Sequence, residues 1–184
     1  LRPILQEFLK TYPQVTVEVI LSNRFVDLVA EGVDLAIRVG VLKDSTLIAK
    51  KFLEEPLSLW ASPAYIKQRG LPTHPKDLKN HEFIRFSAAS SFRLRSGKES
   101  VQIDPPGRLI LDDMQTVKSY VMDGGGLGLF PKFICAAEVD SGKLVAVLPK
   151  WNSGVAPVSF VYPPQRFVAV NTHAFIEVAR RHIP

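Results

Sequence analysis

The groups in this chain of 184 residues that could do chemistry are few and scattered. Asp112 and Asp113 are adjacent carboxylates of the kind a general acid and base would use, but they stand directly before the helical pattern of Met114 to Met122, where capping is the stronger use of them. The single cysteine, Cys135, lies between Ile134 and Ala136 with no base beside it in sequence, so it reads as a core residue. The four histidines, His74, His81, His173 and His182, lack metal-ligand spacing and are assigned to loops or the surface. The run Gly124-Gly125-Gly126-Leu127-Gly128 has the composition of a dinucleotide loop without its context. Its glycines follow a helix instead of a strand, and Leu129 stands where the third motif glycine belongs. No serine elbow, phosphate loop or zinc pattern occurs, so no enzyme activity, metal or cofactor is expected.

What remains is the chemistry of noncovalent binding, and the stretch from Leu21 to Gly40 offers most of it. Val15 to Ile20 alternates apolar and polar residues as a strand does. Ser22 and Asn23 then suit the cap of a helix with Phe25, Leu28 and Val29 on one face, and Gly32 supplies its stop. Val33 to Val39 is a second apolar strand. A strand, helix, strand unit of this kind turns its strand ends and helix N-terminus to one side, where open α/β sheets hold small molecules.

The same reading extends along the chain. Pro3 to Tyr12 carries an apolar stripe at residues 4, 5, 8, 9 and 12 and stops before Pro13. Leu47 to Leu53 and Leu57 to Ala61 are two strands separated by Glu54-Glu55-Pro56, and Ser62-Pro63 opens a helix that Gly70 closes. Leu71 to Asp77 reads as loop and Glu82 to Phe86 as strand. Phe92 to Arg95 and Ser100 to Ile103 flank a Ser96-Gly97 turn that covers a sheet. Strand Leu109 to Leu111, helix Met114 to Met122, a glycine stop, strand Leu127 to Phe130 and a helix from Pro131 to about Val139 repeat the opening logic. Leu144 to Leu148, Val158 to Tyr162 and a helix from Asn171 to His182 complete the chain. Breaks at Ala61-Ser62-Pro63 and Tyr162-Pro163-Pro164 divide it into a first lobe of residues 1–61 and 165–184 and a second of residues 62–164.

Composition bounds the partners. With 46% apolar residues the chain can build a core, and charges interrupt every apolar stretch before bilayer length. The net charge of +5 is spread in singles and pairs, without a basic stripe interleaved with aromatics. Arg93, Arg95 and Lys98 form the one local cluster, on an exposed hairpin. That distribution argues against a nucleic-acid partner, while a mildly positive field still favours capture of anionic small molecules. One cysteine fits a reducing compartment, and a cytoplasmic location is expected.

As an ordered set, several segments resemble the effector-binding domain of LysR-type transcriptional regulators. They are Leu1-Arg2-Pro3-Ile4-Leu5 with Phe8-Leu9 and Tyr12-Pro13, Asp34 to Gly40, Ala61-Ser62-Pro63-Ala64-Tyr65, Asp77-Leu78, Gly126 to Pro131, Gly142 to Val145 with Leu148, and Tyr162-Pro163. The resemblance implies an α/β fold of two Rossmann-like lobes joined by two chain crossings, like type II periplasmic binding proteins, with an effector in the cleft between the lobes. It implies a homodimer or homotetramer that meets DNA only through an N-terminal winged helix-turn-helix, which is expected, with the family's first strand, to belong ahead of Leu1.

In such a cleft the effector contacts are Ser22 and Asn23, then Arg38, Val39 and Gly40, and from the other lobe Phe86, Ser87, Phe130 and Pro131. Ser22 and Asn23 can cap and bind at once. Arg38 either points into the cleft or pairs with Asp34 or Glu18. Phe130 closes an apolar strand, and core and ligand wall both stay open for it. The competing functions are a solute-binding protein of a transport system, an enzyme using Asp113 or Cys135, and a dimerisation module without an effector.

Overall fold

A computed structural model describes residues 1–24, 26–40, 46–89, 91–164 and 170–182. In chain order its elements are α1 Arg2–Thr11, β1 Ala36–Val39, β2 Ile48–Ala61, α2 Pro63–Arg69, β3 Ile84–Phe86, β4 Phe92–Ser96, β5 Glu99–Ile103, β6 Leu109–Leu111, α3 Met114–Met122, β7 Gly128–Pro131, α4 Ala136–Asp140, β8 Val145–Val147, β9 Val155–Tyr162 and α5 Val170–Arg180. Short 3-10 turns occupy Pro75–Asn80 and Lys132–Ile134. Two compact units divide the chain, Leu1–Glu54 with Pro157–Pro184, and Glu55–Ala156. Both borders fall inside strands, β2 and β9, rather than at the Ser62-Pro63 and Pro163-Pro164 breaks.

In the first unit, β1 runs antiparallel to β9, with Ala36 opposite Val161 and Val39 opposite Val158. The apolar stripe of α1 turns Ile4 and Phe8 inward against Ile176, Val178 and Ala179 of α5 and Phe160 and Tyr162 of β9. Phe8 meets Phe175 edge to face at 5.2 Å. Glu7 of α1 pins the end of α5 through His182 at 2.7 Å and Arg181 at 3.1 Å.

In the second unit, the last residues of β2 lie between two antiparallel neighbours. Leu57 to Trp60 face Pro131 to Gly128 of β7, and Leu59 to Ala61 face Val147 to Val145 of β8. Alternation along β2 sends Leu59 and Trp60 to opposite faces and so divides the unit between two cores. Leu59 joins Tyr65, Leu78, Phe83, Phe92 and Leu94, while Trp60 joins Ile84, Val117, Val121, Phe130 and Cys135. Phe83 and Ile84 are split the same way at the start of β3. β3 and β6 are parallel, with Ile84 opposite Leu109 and Phe86 opposite Leu111. The β4–β5 hairpin buries Phe92, Leu94 and Ile103 and leaves Arg93, Arg95 and Lys98 exposed.

Several elements differ from the sequence pattern. Val15 to Ile20 forms no strand, for among the described residues no neighbour completes its ladder. Its alternation survives as packing, because Val15 and Val17 lie against the first core. The helix expected after Ser22-Asn23 is a single turn that starts later. Asp27 Oδ1 accepts from the Val29 and Ala30 N–H groups at 3.1 Å each, displacing the cap by several residues. Gly32, at φ +65°, then closes it with Gly32 N–H to Val29 O and Val33 N–H to Leu28 O, before a helix can propagate. Phe25, named for that helix, lies outside the described residues. The strand after it is also shorter than the apolar run from Val33.

Glu54-Glu55-Pro56 separates no strands, and β2 runs through it unbroken. Proline lacks only its N–H, and the β7 pairing begins one residue later at Leu57, so Pro56 removes no bond from that ladder. The loop from Leu71 shortens to a 3-10 turn at Pro75, where His74 Nδ1 accepts from Lys76 N–H. Pro131 ends β7 instead of opening a long helix, and the chain continues into the 3-10 turn and the short α4. His81 lies in the loop between the 3-10 turn and β3, as assigned, and is buried there.

Candidate functional site

In the first unit Arg38, Val39 and Gly40 stand at the end of β1, and Ser22 and Asn23 lie in the exposed segment before it. Arg38 Nη2 donates to the Val26 carbonyl at 2.6 Å, which ties the residues just before the Asp27 turn to the strand carrying Arg38, Val39 and Gly40. This bond goes to a backbone carbonyl, not to Asp34 or Glu18. The Ser22 hydroxyl accepts from Arg24 N–H at 3.2 Å, and Arg24 in turn pairs with Glu31 at 3.2 Å. Ser22, Asn23 and Val39 are exposed, while Arg38 and Gly40 are half-buried. Gly40 N–H donates to Pro157 O at 2.8 Å and fixes the strand end.

In the second unit the carboxyl ends of the parallel β3 and β6 bring Phe86 and Ser87 beside Asp112, Asp113 and the start of α3. Ser87 N–H donates to Leu111 O at 2.8 Å, leaving its exposed hydroxyl for a partner. A shallow recess lies alongside, lined by Phe86, Ala89, Phe92, Pro105 and Leu129 together with Arg85. Phe130 does not contribute to that surface. Its ring is 0% exposed and stacked on Trp60 with centroids 6.3 Å apart, and its carbonyl accepts from Trp60 Nε1 at 2.9 Å. Pro131 is buried as well.

The groups that could have suggested catalysis are otherwise engaged. Asp113 Oδ2 accepts from Thr116 Oγ1 at 2.6 Å and Thr116 N–H at 2.7 Å, the geometry of a helix cap. The hydroxyl bond first and the amide bond second hold its carboxyl below the usual range. Burial, then the Glu138 carboxylate, pushes the Cys135 thiol up to about 12, which suppresses its nucleophilic form. Lys118 and Glu138 pair at 2.6 Å nearby and join α3 to α4. No three His, Cys, Asp or Glu residues among the described ones could hold a metal ion. No described helix is long and apolar enough to cross a membrane.

The cap supports a direct prediction. Asp113→Ala is expected to cost about 1 kcal/mol at pH 7, the usual value of such a cap, read as a lower urea midpoint. A carboxyl whose folded pKa is lowered stabilises fully above the unfolded value of about 3.9 and loses that contribution as pH falls through the folded one. The gap between parent and variant is therefore expected to close below about pH 4.

Sequence reasoning missed three polar contacts. Asp27 replaced Ser22 as the cap, and an Asp ahead of a turn is a signal that could have found it. The Lys118–Glu138 and Tyr65–His81 pairs join residues 20 and 16 positions apart, with no local pattern to mark them.

Comparison with known proteins adds the family. The profile described as LysR substrate binding domain matches residues 1–184. The HTH-type transcriptional regulator PtxR of Pseudomonas aeruginosa is 34% identical over 181 residues, 96% of this chain and 57% of PtxR. The chain thus spans little more than half the length of that relative. Among solved structures, the full-length Vibrio cholerae virulence activator AphB, a member of the LTTR protein family, superposes with a TM-score of 0.86 at 27% identity, covering 99% of this chain and 63% of AphB. The regulatory domain of Neisseria meningitidis CrgA, a LysR-type transcriptional regulator, gives 0.90 at 21% identity over 100% of this chain and 91% of that domain, a likeness of fold.

Proposed function

The chain belongs to the LysR substrate-binding domain family, and on that premise we propose that it is the effector-sensing and oligomerising portion of a bacterial transcriptional regulator. The effector is a small anionic molecule, and binding shifts the domain between two arrangements that a DNA-binding N-terminal domain reads in a homodimer or homotetramer. The observation carrying this reading is the family match along the whole chain. PtxR, at 34% identity, and AphB, at 27%, are regulators, which favours this reading over a solute-binding protein of a transport system.

Each unit contributes contacts of its own in this proposal. In the first unit Ser22, Asn23 and the backbone at Val39 and Gly40 meet the ligand, and Arg38 supplies positive charge while holding the residues just before the Asp27 turn. In the second, Ser87 offers a hydroxyl beside the apolar face of Phe86. Phe130 and Pro131 act from beneath, shaping the end of β7.

A thermal-shift screen of carboxylates, amino acids and aromatic acids tests the proposal. A binder at a hundredfold its dissociation constant stabilises by about 2.7 kcal/mol. Ser22→Ala and Asn23→Ala, both exposed, are expected to leave the unliganded melting temperature within a degree or so and to reduce the ligand-induced rise. A panel with no binder, or variants that respond as the parent does, contradicts it.

A further inference from the structure

A buried polar network in the second unit lies outside the candidate contacts. Tyr65 of α2 is 3% exposed and His81, just after the 3-10 turn, is 8% exposed. The Tyr65 hydroxyl accepts from Glu82 N–H at 3.0 Å and lies 3.2 Å from His81 Nδ1. Glu82 N–H is a donor only, so the hydroxyl's own proton needs a different acceptor, and His81 Nδ1 is the one within reach among the described residues. That arrangement requires a neutral imidazole with its proton on Nε2.

Glu82 is a junction of three chain segments. Its carbonyl accepts from Leu127 N–H at 2.9 Å ahead of β7, its side chain accepts from Arg108 N–H at 3.2 Å ahead of β6, and its N–H reaches α2 through Tyr65. Phe83 N–H adds a bond to Pro106 O at 3.0 Å. These bonds fix where β3, β6 and β7 begin. Two or three residues further on, β3 and β6 end at Phe86, Ser87 and the cap of α3.

We propose that the His81–Tyr65 pair is an acid-operated clasp, in which neutral His81 holds the start of β3 and protonation of His81 releases it. With a proton on Nδ1, two donors face each other, and the Tyr65 hydroxyl must turn its hydrogen away from its one acceptor. The charged groups facing the ring are opposed in sign. Arg69 of α2 disfavours the imidazolium, and Asp77 of the 3-10 turn favours it, with its carboxylate already receiving the His74 and Thr73 N–H groups. Burial outweighs both and holds His81 below its ordinary value, as burial also raises the Tyr65 hydroxyl. The clasp does not depend on the effector reading.

The sign comes from linkage. Above about pH 6.5 the imidazole is neutral folded and unfolded, and the clasp is intact. As pH falls through the lowered folded value, the unfolded chain takes the proton more readily and the clasp's stabilisation is lost.

NMR titration of the His81 ring protons, with amide-exchange protection factors at Glu82, Ile84 and Leu127, tests this on the whole chain between pH 7.5 and 5. The expected result is a His81 midpoint below about 6.5 and a loss of protection at these amides on acidification. His81→Asn, whose amide oxygen can accept from Tyr65 without titrating, is expected to abolish that acid-dependent loss, whereas His182→Asn, at the Glu7 contact, preserves it. A midpoint at or above 6.5, or an unchanged loss in His81→Asn, overturns the proposal. Should that variant not fold, the parent's titration decides alone.

Discussion

Phe130→Ala is expected to destabilise the second unit by about 3 to 5 kcal/mol, the range for emptying a fully buried phenylalanine site. The ring is 0% exposed and packs among Trp60, Val121, Ile84 and Cys135, a core drawn from β2, α3, β3 and the turn before α4. Such a site collapses poorly on truncation, because each neighbour is held by its own element. The loss is a large fraction of the 5 to 15 kcal/mol that typically separates folded from unfolded domains. Urea denaturation checks it as a lower midpoint at an unchanged slope. A residue serving only as ligand wall would leave stability within about 0.5 kcal/mol and weaken binding alone. The two roles left open for Phe130 by sequence are thus separated by one variant.

Gly126→Ala is expected to cost about 2 to 4 kcal/mol, combining overpacking with backbone strain. Gly126 has φ +158°, and a Cβ there would lie 2.6 Å from the Glu82 carbonyl oxygen and 3.0 Å from its carbon. Both are backbone atoms, and neither can rotate away. Relief requires moving the start of β7 from Glu82, which strains the Leu127 to Glu82 hydrogen bond at 2.9 Å. Gly142→Ala is the comparison, since Gly142 has φ +72° but nothing within 4 Å of an added Cβ. It is expected to cost only the backbone term of about 1 kcal/mol, and equal losses for the two variants would contradict the clash.

The elements with local signals were legible. Asp113 ahead of a 3.6-period run and glycines behind it placed α3 at Met114–Met122, and Ser62-Pro63 with Gly70 placed α2. The Ser96-Gly97 turn located the β4–β5 hairpin because alternating residues flank it. What failed depended on partners or on competition. The Val15 to Ile20 alternation reports a face that packs, but a strand also needs a neighbouring backbone. Ser22 lost the cap to Asp27 because the carboxylate stands next to the residues that turn. Pro56 looked like a break because its missing N–H matters only where a ladder needs it. At the candidate site, the tie from Arg38 to Val26 and the burial of His81 against Tyr65 are tertiary facts, and no spacing rule encodes them.

The most direct test of effector sensing is a residue-resolved one. The chain is titrated with a small acid selected by thermal shift, and the amide signals are followed by 1H–15N NMR. The account predicts saturable shifts at Ser22, Asn23, Val39, Gly40 and Ser87, reduced in Ser22→Ala and Asn23→Ala. Saturable binding that leaves all five amides unmoved, with its shifts confined to other regions of the chain, would contradict it.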